Sequence, residues 1–108
     1  MSTEQDYLLI EISTERLDAA AAPALRKRFE TGEHVGLSRV ILDLGQVEFI
    51  DSTGLGVLVS LLKQMAPGGR IAVVGAGPGP TRLFQITRLD TLFTLCADIE
   101  EAKQALGV

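Results

Sequence analysis

The residues best suited to chemistry lie in "FIDSTGLG", Phe49 to Gly56, where an apolar pair runs into an acid, two adjacent hydroxyls and two spaced glycines. The stretch continues as "VLVSLLKQM", which places Ser52 at the mouth of a buried helix. A serine nucleophile needs a general base. The only histidine, His34, sits in the hydrophilic segment "TGEHVGLS", and no G-x-S-x-G turn occurs. One histidine among scattered carboxylates offers no metal site either. The chain carries no catalytic constellation, so it is not read as an enzyme, and neither a metal nor a cofactor of its own is expected.

The hydroxyls themselves remain. Asp51 or Ser52 can act as N-cap, with a side-chain oxygen accepting an amide hydrogen bond that stabilises the helix by about 1 kcal/mol. A cap needs one such side chain, and Asp51, Ser52 and Thr53 supply three, so one hydroxyl is left for display. The unpaired amides and the positive dipole end of a helix hold a phosphate well. A serine displayed there, as Ser52 is, is well placed to become phosphorylated. Gly54 and Gly56 are read as keeping the surface around it open to another protein.

Two rival leads fail on missing parts. "IAVVGAGPGP" imitates a dinucleotide-binding turn, yet Pro80 stands where the third glycine would allow close helix packing. Asp43 ends an apolar strand as a receiver-domain phosphoacceptor would, but the acidic pair and lysine that hold magnesium and phosphoryl are absent.

The 108 residues fit one domain, 1–108. With 46% apolar but only 5% aromatic residues, the core must be aliphatic. A net charge of -4 argues against nucleic acid, and "LRKRF" reads as a solvated helix face. Cys96 is the sole cysteine and has no internal disulfide partner. No apolar run approaches the roughly 20 residues of a membrane span. A cytoplasmic protein with no membrane span is expected.

Around the site, "YLLIEIS" (Tyr7 to Ser13) reads as a strand. Pro23 sets a helix start near Ala20 to Ala22, with Leu25 and Phe29 inward and Gly32 closing it. "RVILDL" is a second strand. The site helix carries Leu55, Leu58, Leu62 and Met65 at three- and four-residue spacing. "RIAVV", apolar on both faces, belongs at the sheet centre. A helix with Pro80 in its first turn buries Leu83, Phe84 and Ile86, "TLFTLC" is a last strand, and Asp98 with Glu101 opens a final helix whose Ile99, Ala102 and Leu106 form one stripe. The predicted class is α/β: a small mixed, mostly parallel sheet of about four strands with about four helices packed on it.

At "LDLGQVEFIDSTGLGVLVSLLKQM" the chain resembles the STAS-domain family, specifically its bacterial anti-sigma-factor antagonists. Their signature is matched by Asp43, Leu44, Val47, Phe49, Ile50, Asp51, Ser52, Gly54, Leu55 and Gly56. "RLDAAAAPALR", "GGRIAVVG", "RLFQITRLDTLF" and "IEEAKQAL" follow the family layout, so the resemblance runs from Leu17 onward. It implies helices mostly on one side of the sheet. It also implies a switch in which the unphosphorylated domain binds an anti-sigma factor serine kinase, which uses ATP and magnesium, and so frees a sigma factor. A metal-dependent serine phosphatase would restore the binder. By position Ser52 matches the phosphorylated serine and is the expected phosphoacceptor, with Thr53 as the fallback, Asp51 orienting the hydroxyl, Asp18 in a neighbouring loop, and Thr53, Gly54, Leu55 and Gly56 around it. Three departures stand out: one clear opening strand instead of two, with an early strand abbreviated or absent, Gly45 in place of a serine, and Arg88 in place of a glycine, so that either Arg88 takes a strained cap conformation or the helix ends differently. A STAS scaffold or transport-system subunit without phosphorylation, and more remotely a small nucleotide-binding protein, are the alternative readings.

Overall fold

The chain's computed structural model describes residues 7–30 and 36–108. Gly32 and His34 lie outside the described residues.

Two fully apolar runs organise the rest. Val40, Ile41 and Leu42 of β3 (Arg39–Asp43) and Ile71, Ala72 and Val73 of β5 (Arg70–Val74) are wholly buried, on both faces of their strands. They pair in parallel, flanked by β1 (Leu8–Glu11) on β3 and β6 (Phe93–Cys96) on β5. The order is β1-β3-β5-β6. A second sheet pairs β2 (Arg16–Leu17) with β4 (Phe49–Ile50), with Arg16 opposite Phe49 and Leu17 opposite Ile50. The mostly parallel sheet of about four strands is found as expected, and among the described residues every strand pair is parallel. Each pair in the main sheet is joined by a helical crossover, which returns the chain in the same direction. "STERLD" holds the two-residue strand β2, which pairs with β4 and not with β1.

Four α-helices occur among the described residues: α1 (Ala22–Glu30), α2 (Ser52–Lys63), α3 (Pro78–Ile86) and α4 (Ile99–Leu106). Leu25 and Phe29 of α1, Leu55, Leu58 and Leu61 of α2, and Phe84 of α3 join one core with Ile10, Val40, Leu42, Ile71 and Val73. On the opposite face Ala102 and Leu106 of α4 cover Ile41, Ala72 and Val74, with half-buried Cys96 at the margin. Burial, and then the carboxylates of Glu101 and Asp98, push the Cys96 thiol pKa up. Arg39 Nε donates to the Leu106 carbonyl at 2.8 Å and ties the last turn of α4 to the start of β3. Asp98 caps α4, its carboxylate accepting from Glu101 N at 2.9 Å, while Glu101 accepts in return from Ala97 N.

Helix α3 differs in one detail. Phe84 is buried edge-on against Phe93, with ring centroids 5.3 Å apart, and Leu83 is half-buried. Ile86 is 66% exposed rather than inside. Two residues advance a helix by about 200°, so Phe84 and Ile86 cannot share a face.

Arg88, which follows α3, holds φ 62 and ψ 20, so of the two expected outcomes the strained left-handed one occurs. That region disfavours an L-residue by roughly 1–2 kcal/mol, against roughly 0.5–1 kcal/mol of extra chain entropy lost by glycine. Arg88→Gly is therefore expected to raise stability by about 0.5 kcal/mol or slightly more, read as a higher urea midpoint. A lower midpoint would show that the arginine side chain outweighs its backbone.

Candidate functional site

The site is assembled where the small sheet meets the first turn of α2. Glu15 O accepts from Glu48 N (2.8 Å) and Phe49 N (3.1 Å), and Leu17 O accepts from Asp51 N (3.2 Å). Gly54 completes the approach. A Cβ there would lie 2.8 Å from both the Leu17 carbonyl carbon and Leu17 Cγ, and closer still to the Leu17 carbonyl oxygen. Only glycine lets the helix settle on the end of β2. One register step beyond Leu17 and Ile50, Asp18 stands beside Asp51.

Asp51 is the N-cap of α2: with φ -104 and ψ -176, its Oδ1 accepts from Gly54 N at 2.9 Å. Its own carbonyl takes Leu55 N at 2.9 Å. The cap is thereby complete without either hydroxyl. Ser52 and Thr53 are exposed as the first two helical residues, and the Ser52 hydroxyl has no hydrogen bond among the described residues. The Asp51 carboxylate is committed to the cap, and no hydrogen bond links it to that hydroxyl among the described residues.

Asp18 is held from several sides. Its Oδ1 accepts from Ala20 N (3.1 Å) and Ala21 N (3.2 Å) at the entry to α1, and its Oδ2 accepts from Arg16 Nε at 3.4 Å. The Ala21 amide, then the Arg16 guanidinium and the Ala20 amide, stabilise the charged form against partial desolvation and hold the Asp18 pKa below the usual carboxylate value. The Arg16 guanidinium also lies 4.4 Å from the centre of the Phe49 ring, so one side chain ties both strands of the small sheet together.

The expected site residues divide into two groups. Asp51, Ser52, Thr53 and Gly56 reach the surface at the start of α2, with Asp18 nearby and partly covered. Gly54 and Leu55 are buried, so they support the surface from beneath instead of forming it. For Gly54 the reading as open surface is corrected; its lack of a side chain is required by the Leu17 backbone. Space around Gly56 is open, as expected.

Sequence reasoning missed two neighbouring features. Thr53 lines a groove of about 440 Å³ with Pro23, Arg26, Lys27 and Glu30 of α1, so "LRKRF" borders the site rather than lying apart from it. Phe49, 40% exposed on β4, borders a second groove toward α3. The signal for the first was the paired basic residues on the outer face of α1. For the second it was an aromatic in a two-residue strand.

The rival sites find no support in the geometry. Gly75, at φ +75, packs on Gly45, where a Cβ would meet Gly45 backbone atoms at 3.0 Å. The "GAGPGP" turn is thus closed against its neighbour, and α3 begins at Pro78 under Gly77 as cap. The Asp43 carboxylate accepts from Gly45 N at 2.8 Å. Among the described residues no three of His, Cys, Asp and Glu gather to hold a metal ion, and no helix is long and apolar enough to cross a membrane.

A small parallel sheet with three helices on one face, a single helix on the other and an exposed serine opening α2 defines a compact α/β module. Residues 1–102 match the STAS domain model, and the chain belongs to that family. Among its relatives, an anti-sigma-B factor antagonist of Staphylococcus epidermidis is 31% identical over 91 residues, covering 83% of each chain. The crystal structure of an anti-sigma factor antagonist from Mycobacterium paratuberculosis superposes with a TM-score of 0.83 at 26% identity, over 97% of this chain and 89% of that one. The Bacillus cell fate determinant SpoIIAA in its phosphorylated form shares the fold, with a TM-score of 0.66 at 19% identity over 97% and 96% of the two chains.

Two tests follow from this packing. Gly54→Ala is expected to destabilise the protein by about 1–3 kcal/mol, because backbone must move to admit a methyl group, whereas Gly56→Ala should be neutral or stabilising by up to about 1 kcal/mol. Equal urea midpoints for the two variants would contradict the contact with Leu17. Asp18 has a lowered folded pKa, so its charge contributes stability above the unfolded pKa of about 4 that is lost as pH falls through the folded value. The stability difference between parent and Asp18→Asn should therefore grow from acid toward about pH 5 and then level off. A difference that shrank with rising pH would have the opposite sign.

Proposed function

We propose that this chain, acting as one domain over 1–108, is a cytoplasmic anti-sigma factor antagonist. In this reading its unphosphorylated form binds an anti-sigma factor serine kinase and thereby frees a sigma factor. Phosphorylation of Ser52 switches that binding off. The observation that carries the proposal is the division of labour at α2: Asp51 closes the cap, and Ser52 stands exposed with no internal hydrogen bond among the described residues. The names of the relatives support the antagonist role.

In this reading the chain is a substrate and binding partner and is itself no enzyme. In the kinase complex Ser52 Oγ attacks the γ-phosphorus of ATP held with magnesium by the kinase. The bond to the bridging oxygen breaks, ADP leaves, and the hydroxyl proton passes to a base on the kinase. A metal-dependent serine phosphatase would reverse the modification with water.

The phosphate adds about -1.5 to -2 charge. At the α2 N-terminus this is tolerated, since the first amides and the helix dipole favour an anion by roughly 0.3–1 kcal/mol. Burial against a partner is another matter. Desolvating an ion costs several kcal/mol, and Asp51 next to it adds like charge, while Arg26 and Lys27 lie across the groove lined by Thr53 on a face open to solvent. The second effect outweighs the first, so phosphorylation leaves the fold intact and blocks the interface.

Ser52→Ala should bind the kinase constitutively with stability unchanged within about 0.5 kcal/mol, because Ser52 is not the cap. Ser52→Asp should bind at least about tenfold more weakly. Intact-mass analysis after incubation with purified kinase and magnesium ATP should show one phosphate, mapped to Ser52 and absent from Ser52→Ala. A phosphate on Thr53 would move the site by one residue. No phosphate, with Ser52→Asp binding as tightly as the parent, would refute the switch and favour an unregulated scaffold.

A further inference from the structure

Beside the phosphoacceptor, β4 and α3 enclose an apolar groove of about 240 Å³ lined by Phe49, Ile50, Leu83 and Ile86, with Arg82 and Glu48 at its margins. Phe49 is 40% and Ile86 66% exposed, although each is large and apolar. Adjacent exposed apolar side chains of this size mark interaction surfaces. Two links tie the groove to the site: Phe49 and Ile50 are followed in the chain by Asp51 and Ser52, and Arg16 stacks on Phe49 while holding Asp18.

Its charge narrows the occupant. Arg82 is exposed and has neither an ion pair nor a hydrogen bond among the described residues, in a chain whose net charge is -4. Arg16 adds a second guanidinium at the Phe49 end, already paired with Asp18. Glu48, on the same margin, forms no ion pair with Arg82, so that guanidinium is left for a partner. A groove with an apolar floor and a free guanidinium on its rim is complementary to an apolar side chain flanked by a carboxylate.

We infer that this groove is the second half of the docking surface for the anti-sigma factor kinase, receiving an apolar side chain of the kinase while Arg82 pairs with a neighbouring carboxylate. The inference rests on the function proposed above. It assigns to β4 and α3 a role in holding the kinase over Ser52, so that the two halves together orient the hydroxyl toward the transferred phosphoryl group.

The test measures affinity of the parent, Ile86→Glu, Arg82→Gln, Ser52→Asp and Leu9→Glu for purified anti-sigma factor kinases of the source organism, with magnesium and a non-hydrolysable ATP analogue. Leu9 is comparably exposed but lies on β1 beside Ile41, on the α4 side of the sheet, and serves as control. Ile86→Glu should weaken binding at least about tenfold, and Leu9→Glu should leave it unchanged. Arg82→Gln should weaken it a few-fold and flatten its dependence on salt, a response that a merely structural residue would not give. Unfolding midpoints at the parental value would show that the exposed substitutions leave the fold alone. If Ser52→Asp impairs binding and Ile86→Glu does not, the groove is no part of the interface while the switch stands. If Ile86→Glu dissolves a dimer of this chain without changing kinase affinity, the groove belongs to a second copy and the inference is overturned. If no kinase binds the parent, both readings fall.

Discussion

The contact on which the rest depends is the one between Gly54 and the Leu17 backbone. A helix ordinarily stands off a neighbouring strand by the thickness of its side chains. Here a missing Cβ removes that spacing at one point. The first turn of α2 comes down on the end of β2, and Asp51 N reaches the Leu17 carbonyl. Leu17 then fixes Asp18, Asp18 fixes the entry to α1, and α1 places Arg26 and Lys27 beside Thr53. Two strands of two residues each, too short to be stable alone, are held by this contact and by the Arg16 side chain across them.

Much of the fold was legible because its strongest signals are local. The runs "RVILD" and "RIAVV" are apolar on both faces, which places them at the centre of a parallel sheet. The spacing in α2 and the cap at Asp98 follow equally from short-range chemistry, whereas the awkward position of Arg88 shows only against the family pattern, which has a glycine there. What could not be read depends on partners distant in sequence. Strands β2 and β4 exist only through each other, and neither "RL" nor "FI" carries a period long enough to detect. Ile86 was misplaced by treating an apolar residue as an inward one, where the helical angle from Phe84 gives the answer.

The candidate site shows the same division. That three polar side chains compete for one cap was evident from "DST", and the consequence that a hydroxyl remains free follows from counting. Which residue would cap required the backbone geometry of Asp51. The glycines were harder. Gly54 and Gly56 look alike in sequence and do opposite things, one admitting a neighbouring strand and one facing open space. Their difference lies in Leu17, more than thirty positions earlier in the chain, and no reading confined to the motif could have found it.

The single helix on the far face of the sheet bears on how the protein is made. Helices α1, α2 and α3 are each synthesised between the strands they cover, so that face can close progressively as the chain emerges from the ribosome. The other face waits. Ile41, Ala72 and Val74 have no cover until α4 follows β6, and Arg39 has no Leu106 carbonyl to hold. During that interval a nascent chain presents a bare aliphatic sheet face beside an already formed serine surface. Translation that stalls short of α4 would leave a product that carries the exposed serine surface but is marked by its bare sheet for chaperones or proteases, so survival of that product depends on a helix that takes no part in the surface itself.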